Sequence, residues 1–365
     1  MDGSGRMALV HEWIQDRSGS EQTFEALARA FPQADLYALS RQPGVDLDVG
    51  GRDVRTTWLD RPGLRNRREL TLPLMPLAWR GLGTPGYETV LSSHHAFASS
   101  NRLVAPGGTH LCYVHSPARY IWTPDIDERG QGRLRRVAAA ALKAVDRAAA
   151  RRVTAFAANS SEVASRIRAY WQRDALVIPP PVDVDYFSIV SEVAATRDYV
   201  LGVGRWIPYK NMHVVIEVAA ELGMPAKIAG RGPERGRLEA AAEAVDVPVD
   251  IIEFPSDAEL RELYRNAVAL VFPTFEDFGL VPIEAQAAGT PVVALGRGGV
   301  LDTVVPGRTG ILTDGLSARE LAEGVTAAMG LLPGDCRANA DRFSVQAFID
   351  AIRGWVSATT ATEQP

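Results

Sequence analysis

The stretch Val268-Ala-Leu-Val-Phe-Pro-Thr-Phe-Glu-Asp-Phe-Gly-Leu-Val-Pro-Ile-Glu284 reads as a strand, a loop and the start of a helix. Residues 268–272 form a short, unbroken apolar run, the pattern of a strand covered on both faces. Pro273 and Gly279 then interrupt regular structure, so Glu276 belongs to a loop, and Pro282 pre-sets the backbone for the first helical turn of a helix that carries Glu284. The unpaired amides of that turn, near Gly279, Leu280 and Val281, point at the space that Glu276 faces, where a helix N-terminus holds a phosphate. The bland account of the same residues makes Glu284 a partner of the helix dipole and Glu276 a solvated loop residue.

Outward from this unit the pattern repeats. Apolar runs at 199–203, 226–229, 250–254, 291–294 and 309–312 read as further strands, most of them followed by amphipathic stretches. Helix starts are marked by Asn211, by Pro233, by Ser256 with Glu259, and by Ser317 with Glu320 in capping-box spacing. Six strand–helix units imply an α/β, doubly wound parallel sheet with ligands at the carboxyl ends of its strands. The first half is similar in kind. Ala8-Leu9-Val10, Thr89-Val90-Leu91, Leu111 to Val114 and Thr154 to Ala157 read as buried strands, while Phe24, Leu27, Ala28 and Phe31 recur at helical spacing behind Ser18-Gly19-Ser20. Pro179-Pro180-Pro181 stops regular structure, and the chain to about residue 197 reads as a linker. The expected architecture is therefore two Rossmann-like, doubly wound domains, 1–182 and 183–343, facing each other across a cleft. A helix over 344–357 packs back on the first domain, and 358–365 is a frayed tail.

Composition excludes several classes. The net charge of −5 offers no global basic character for nucleic acid. Cys112 and Cys336 read as two reduced, buried thiols. The start Met-Asp-Gly-Ser-Gly-Arg lacks the apolar core of a signal peptide, and no stretch reaches the ~20 apolar residues of a membrane span, so a cytoplasmic protein is expected.

Gly202-Val-Gly204-Arg205 ends the first strand of the second half, and Lys210 follows just ahead of a helix. Two cations at one strand end suit a diphosphate, whose charge they neutralise; the bland account is an exposed Arg and Lys on a loop. The glycine pair does not make a dinucleotide fingerprint, because the third glycine of the Gly-x-Gly-x-x-Gly pattern is absent.

Taken together, these segments resemble the retaining glycosyltransferases of the GT-B fold, family four, over nearly the whole chain. The resemblance is carried by Tyr199 to Lys210, by Ile228-Ala-Gly-Arg-Gly-Pro233, by Phe272 to Ala285 and by Gly289-Thr-Pro-Val-Val293. Ala158-Asn-Ser-Ser161 and Val177 to Asp183 with Phe187 add to it. It implies that Arg205 and Lys210 bind the donor diphosphate and stabilise the departing nucleotide, that Glu284 holds the ribose hydroxyls, and that Glu276 contacts hydroxyls of the transferred sugar. The amides of Gly279, Leu280 and Val281 would take the distal phosphate, with Gly204 and Gly230 completing the donor set and base recognition falling near Gly230 and Phe254-Pro255. A carboxylate accepts well from two vicinal hydroxyls, and clustered N–H groups suit a phosphate.

The first domain would supply the acceptor site. Gly19 resembles the glycine of the family's phosphate loop, but Ser18-Gly19-Ser20 stands where two adjacent glycines are usual, which leaves Ser20 as an alternative helix cap. His115 ends a strand where related enzymes place a histidine beside the donor sugar. Arg119 and Tyr120 extend the acceptor pocket or, for Tyr120, pack in the core; His11 and Glu12, after the first strand, are weaker candidates at the same cleft. Two basic regions, 61–80 and 129–152, are either solvated faces or a surface that rests on anionic lipid at the inner face of the membrane and receives a lipid-linked acceptor.

The expectation is a metal-independent hexosyltransferase with no cofactor beyond a nucleotide-diphosphate sugar donor, GDP-mannose or a UDP-hexose, and a lipid-linked saccharide or soluble glycoside as acceptor. His11-Glu-Trp13, Phe31 to Tyr37 and His115 to Arg119 resemble bacterial polysaccharide mannosyltransferases and lean the donor towards GDP-mannose. A sugar-nucleotide epimerase on the same fold and a non-catalytic sugar-nucleotide-binding protein are the rival readings.

Overall fold

The computed structural model describes residues 6–15, 18–65, 67–122, 133–189 and 196–362, with their side chains except those of residues 68, 69 and 133–138. The chain forms two compact units, Met1–Pro181 together with Phe348–Pro365, and Val182–Ala347.

The first unit runs β1 (Met7–Ile14), α1 (Gly19–Ala30), β2 (Asp35–Arg41), β3 (Val54–Thr56), α2 (Arg68–Thr71), α3 (Met75–Arg80), β4 (Tyr87–His94), β5 (Val104–Val114), α4 (Arg119–Trp122), α5 (Arg133–Ala150), β6 (Ala155–Ala158), α6 (Ser161–Trp171) and β7 (Ala175–Val177). Its parallel sheet has the order β3-β2-β1-β4-β5-β6-β7. The strand order reverses between β1 and β4, so the carboxyl ends of those two strands flank the crevice where such sheets bind ligands.

The second unit runs α7 (Val184–Ser188), β8 (Tyr199–Arg205), α8 (Met212–Leu222), β9 (Ala226–Arg231), α9 (Arg235–Glu243), β10 (Val249–Glu253), α10 (Asp257–Asn266), β11 (Ala267–Phe272), α11 (Leu280–Ala287), β12 (Val292–Leu295), α12 (Val300–Thr303), β13 (Gly310–Thr313), α13 (Ala318–Ala328) and α14 (Pro333–Ala340). The sheet order is β10-β9-β8-β11-β12-β13, again all parallel, with its switch point between β8 and β11. Alternation along the strands explains the unbroken apolar runs. Tyr199, Leu201 and Val203 of β8 join one core with Leu270 and Phe272 of β11. Val200, Ala269 and Val271 join the core on the opposite face, under α8 and α13. Gly202 lies close against that second layer: a Cβ there would come within 2.9 Å of Val215 on α8.

α15 (Val345–Thr362) closes the chain. From Phe348 onward it packs in the first unit, where the Phe348 ring meets Tyr113 edge-on at 5.6 Å and Arg353 donates to the carbonyl of Ala30 at 2.9 Å.

All six strands expected in the second half are present, and the differences lie in the details. Residues 182–188 are not linker: α7 carries Phe187 into the second unit's core. α11 begins at Leu280, so Pro282 occupies its third position, within the expected first turn. Ser256 and Glu259 form the full capping box. Ser317 caps α13, but the Glu320 carboxylate turns away to the amides of Asp314 and Gly315 at 2.7 and 3.0 Å. In the first half β1 is longer than Ala8–Val10 and includes His11 and Glu12. Residues 359–362, expected to fray, continue α15, with threonine hydroxyls bonded back to carbonyls one turn earlier. The expected frayed residues 363–365, Arg17 and the start of the basic region from Arg129 lie outside the described residues. Cys112 and Cys336 are free and buried. No helix among the described residues is long and apolar enough to cross a membrane.

Candidate active site

In the second unit the expected residues gather at the switch point. Arg205 is the last residue of β8, exposed, and its Nη2 donates to the Tyr209 hydroxyl at 3.0 Å. The chain then makes a 3₁₀ turn, Pro208–Lys210, that returns Lys210 towards the sheet. Lys210 is only 6% exposed, and its ammonium group pairs with the Glu276 carboxylate from the loop after β11, the strand beside β8. An ammonium buried to this degree requires an anion nearby. In this structure Glu276 supplies it.

Two features that the sequence reading missed hold this pair in place. Asn211 has a left-handed backbone, φ 52°, and does not cap α8 with its side chain. Instead its amide donates to the carbonyls of Tyr209 and Pro273 at 3.3 and 3.0 Å, tying the Lys210 turn to the end of β11. Behind Glu276, Gly298 and Gly299 press against its loop: Gly299 N–H donates to the Glu276 carbonyl at 2.9 Å. Gly298 has φ +74°, and a Cβ there would come within 2.5 Å of the same carbonyl oxygen. The signal in the sequence was the adjacent glycine pair after the 291–294 run, a sign of close backbone approach.

Gly279 precedes α11 with φ 95°, a conformation that favours glycine, and the amides of Leu280 and Val281 follow in the first turn. Glu284, half-buried on α11, accepts from the buried Tyr264 hydroxyl at 2.7 Å. Burial of its carboxyl raises the pKa to about 6, and the tyrosine hydrogen bond opposes that rise only in part. Gly204 and Gly230 have a structural reason to be glycine. They lie opposite each other in the β8–β9 pair, and a Cβ on Gly230 would overlap the Gly204 carbonyl oxygen. Phe254, beside the base region expected from the sequence, is 64% exposed and has φ 54°.

In the first unit His115 follows β5. Its Nε2 lies 2.9 Å from Ser93 Oγ, its N–H donates to the His94 carbonyl at 2.8 Å, and its carbonyl accepts from Asn159 at 3.0 Å. Gly19 is the first residue of α1, and Ser18, not Ser20, is at the cap position. Neither serine hydroxyl caps the backbone: both bond the Glu21 carboxylate, the Ser20 bond at 2.8 Å, so the first turn of α1 already holds an anion of its own. Arg119 and Tyr120 are half-buried on α4, and Tyr120 packs against the core.

His11 and Glu12 do not border an open site: both are fully buried within β1. Glu12 Oε1 accepts from the amides of Ala96 and Ala98 at 3.0 and 2.6 Å. Burial nonetheless pushes its carboxyl up to about 7. His94 Nδ1 is 3.9 Å from that carboxylate, yet this is no ion pair, because Nδ1 accepts from Ser99 N–H at 3.3 Å and burial lowers the imidazole pKa to about 3. Among the described residues no group of three or more His, Cys, Asp and Glu side chains is placed to hold a metal ion. Of the basic regions, Arg65 is paired with Asp60 at 2.7 Å, while Arg67 and Arg80 are exposed beside Leu70 and Leu77, which are 63% and 55% exposed.

Two family models match the chain in succession: Glycosyltransferase Family 4 over residues 17–186 and Glycosyl transferases group 1 over residues 187–338. Together the two matches span residues 17–338, and the two parallel α/β units are those of the GT-B glycosyltransferase fold. Among curated relatives, the D-inositol 3-phosphate glycosyltransferase of Geodermatophilus obscurus is 33% identical over 242 residues, 57% of this chain and 52% of the relative. That of Nocardiopsis dassonvillei is 36% identical over 186 residues, 43% of each protein. The chain thus spans about half the length of the curated relatives it matches. Among solved structures, sucrose-phosphate synthase from Thermosynechococcus elongatus aligns with a TM-score of 0.76 at 20% identity, covering 97% of this chain and 100% of that one. HepE of Anabaena, in complex with UDP and glucose, aligns with a TM-score of 0.69 at 18% identity, covering 96% and 100%. At these identities the likeness concerns the fold.

Proposed function

We propose that this chain transfers a hexose from a nucleotide-diphosphate sugar to an acceptor hydroxyl with retention of configuration and without a metal ion. The observation that carries the reading is the convergence of Arg205, the Lys210–Glu276 pair and the amides at the start of α11 on the switch point between β8 and β11. Arg205 and Lys210 balance the diphosphate in the role a metal would otherwise take. Glu284 accepts from the ribose hydroxyls, and Glu276, released from Lys210 when the diphosphate arrives, turns to hydroxyls of the sugar. Gly279, Leu280 and Val281 give their N–H groups to the distal phosphate. His115 is the first unit's candidate for a contact with the sugar. With no enzymatic nucleophile in this set, the acceptor attacks from the face the nucleotide leaves, and the departing phosphate takes its proton.

Because curated relatives are named for D-inositol 3-phosphate and HepE is a complex with UDP and glucose, a UDP-hexose is the donor to test first and GDP-mannose the second. A polyol phosphate joins lipid-linked saccharides and glycosides as an acceptor class. The site works on the cytoplasmic side, where nucleotide sugars are made. Arg205→Ala and Lys210→Ala should each lower donor turnover by roughly 10²-fold or more, the scale of losing one preorganised group that stabilises transition-state charge. Near-normal release of nucleoside diphosphate by both folded variants would remove the assignment.

A further inference from the structure

His11, buried and without a role in the proposed reaction, is linked through Ser93 to His115. It lies directly opposite Ser93 in the β1–β4 pair, with Nδ1 3.0 Å from Ser93 Oγ, and the same hydroxyl is 2.9 Å from His115 Nε2. The three polar groups are linked in series, His11–Ser93–His115.

A hydroxyl has a single proton, so the direction of the chain is a choice between two states. His11 decides it. The ring is fully buried, stacked on Phe24 at a centroid distance of 4.9 Å, and burial holds its pKa near 3, so it is neutral and has one N–H. Its Nε2 is enclosed without a protein partner. Were the proton on Nε2, a donor would be orphaned in the core; were it on Nδ1, only an acceptor lone pair would be, and buried orphan donors are the rarer of the two. The Nδ1–H form also gives Ser93 a donor. Ser93 then passes its own proton to His115.

We infer that His11 and Ser93 form a directional relay, Nδ1–H to Oγ–H to Nε2, that holds His115 in the Nδ1–H form, a donor rather than an acceptor at that nitrogen. Which ring nitrogen carries the proton is set by the bond the other makes. His11 and Ser93 are positioning residues, since neither needs to meet substrate. The functional consequence rests on the proposed place of His115 beside the transferred sugar; the tautomer does not. With Nε2 occupied by the serine proton, His115 has no lone pair at that nitrogen for use as a base.

The experiment is ring-¹⁵N NMR on the histidine-labelled protein, alone and with UDP, in the wild type, Ser93→Ala, His11→Leu and His11→Asn. The wild type should show His115 protonated at Nδ1. Ser93→Ala should lose that preference, His11→Leu should weaken it, and His11→Asn, whose amide can replace the donor, should restore it. A wild-type His115 protonated at Nε2, or a pattern unchanged in folded Ser93→Ala, overturns the relay. Turnover separates the two claims: full activity in His115→Ala with the tautomer pattern as expected removes His115 from the reaction and leaves the relay standing.

Discussion

At the scale of single residues, Glu284 shows a site trading stability for function. Its carboxyl is raised from an ordinary 4.5 to about 6, so at pH 7 it is ionised against the resistance of its surroundings. The sign follows: this cost is absent below the unfolded pKa near 4.5, grows as pH rises, and is complete above about 6. At ~1.4 kcal/mol per pKa unit it amounts to about 2 kcal/mol. Glu284→Gln keeps an acceptor for the Tyr264 hydroxyl and removes the charge. It should therefore unfold at a higher temperature than the wild type at pH 7, with the advantage vanishing near pH 4, while its donor affinity falls. In the wild type, donor affinity should fall as pH drops from 7 to 5, because protonation removes an acceptor for the ribose. Differential scanning calorimetry and nucleotide titration across that range check both. Glu284 was legible in the sequence because a helix start after a loop is legible; Tyr264 was not, because it comes from another helix and meets Glu284 only in the folded unit.

At the scale of elements, the readable ones have enough length for a period to show. β8 and β11 carry unbroken apolar runs because both faces are covered. β3 and β7 were unreadable, since each is a three-residue strand at a sheet edge, Val-Arg-Thr and Ala-Leu-Val, defined by its neighbour's hydrogen bonds. β2 was missed for another reason: Asp35 to Arg41 mixes Tyr, Ala and Ser, with no alternation of apolar and polar residues. The short glycine contacts were hidden in the same way. Gly298→Ala should cost roughly 1–3 kcal/mol through its positive φ and displace the Glu276 loop, giving a loss of turnover larger than the stability change explains. Gly236→Ala, on α9 with nothing within 4 Å of an added Cβ, is the control. On α2 and α3 the exposed Leu70 and Leu77, with the exposed Arg67 and Arg80 near them in sequence, are the residues proposed to meet an anionic bilayer surface. Co-sedimentation with phosphatidylserine vesicles should be seen at low salt, decline as salt rises, and be lost in Leu70→Asp/Leu77→Asp; wild-type protein that stays in the supernatant ends that proposal.

At the scale of the whole chain, one segment determined the fold reading and another the site reading, and they lie in succession. The strand–loop–helix unit from Val268 to Glu284 repeats along the second half, and the reversal of strand order between β8 and β11 explains why residues as distant in sequence as Lys210 and Glu276 meet. The sequence placed Lys210 by a strand end and Glu276 on a loop; it had no means of showing that they neutralise each other. That pairing is central to the proposed function, in which a diphosphate takes Lys210 from Glu276 and so frees the carboxylate for the sugar. The most direct measurement is calorimetric titration of UDP, GDP and ADP into the wild type, Arg205→Ala/Lys210→Ala and Glu276→Gln. One diphosphate should bind the wild type, bind the double variant at least tenfold more weakly as charge-assisted bonds worth ~1.5–3 kcal/mol are lost, and bind Glu276→Gln at least as tightly as the wild type. Equal affinity for the wild type and the double variant, or no binding by any of the three, would contradict the account.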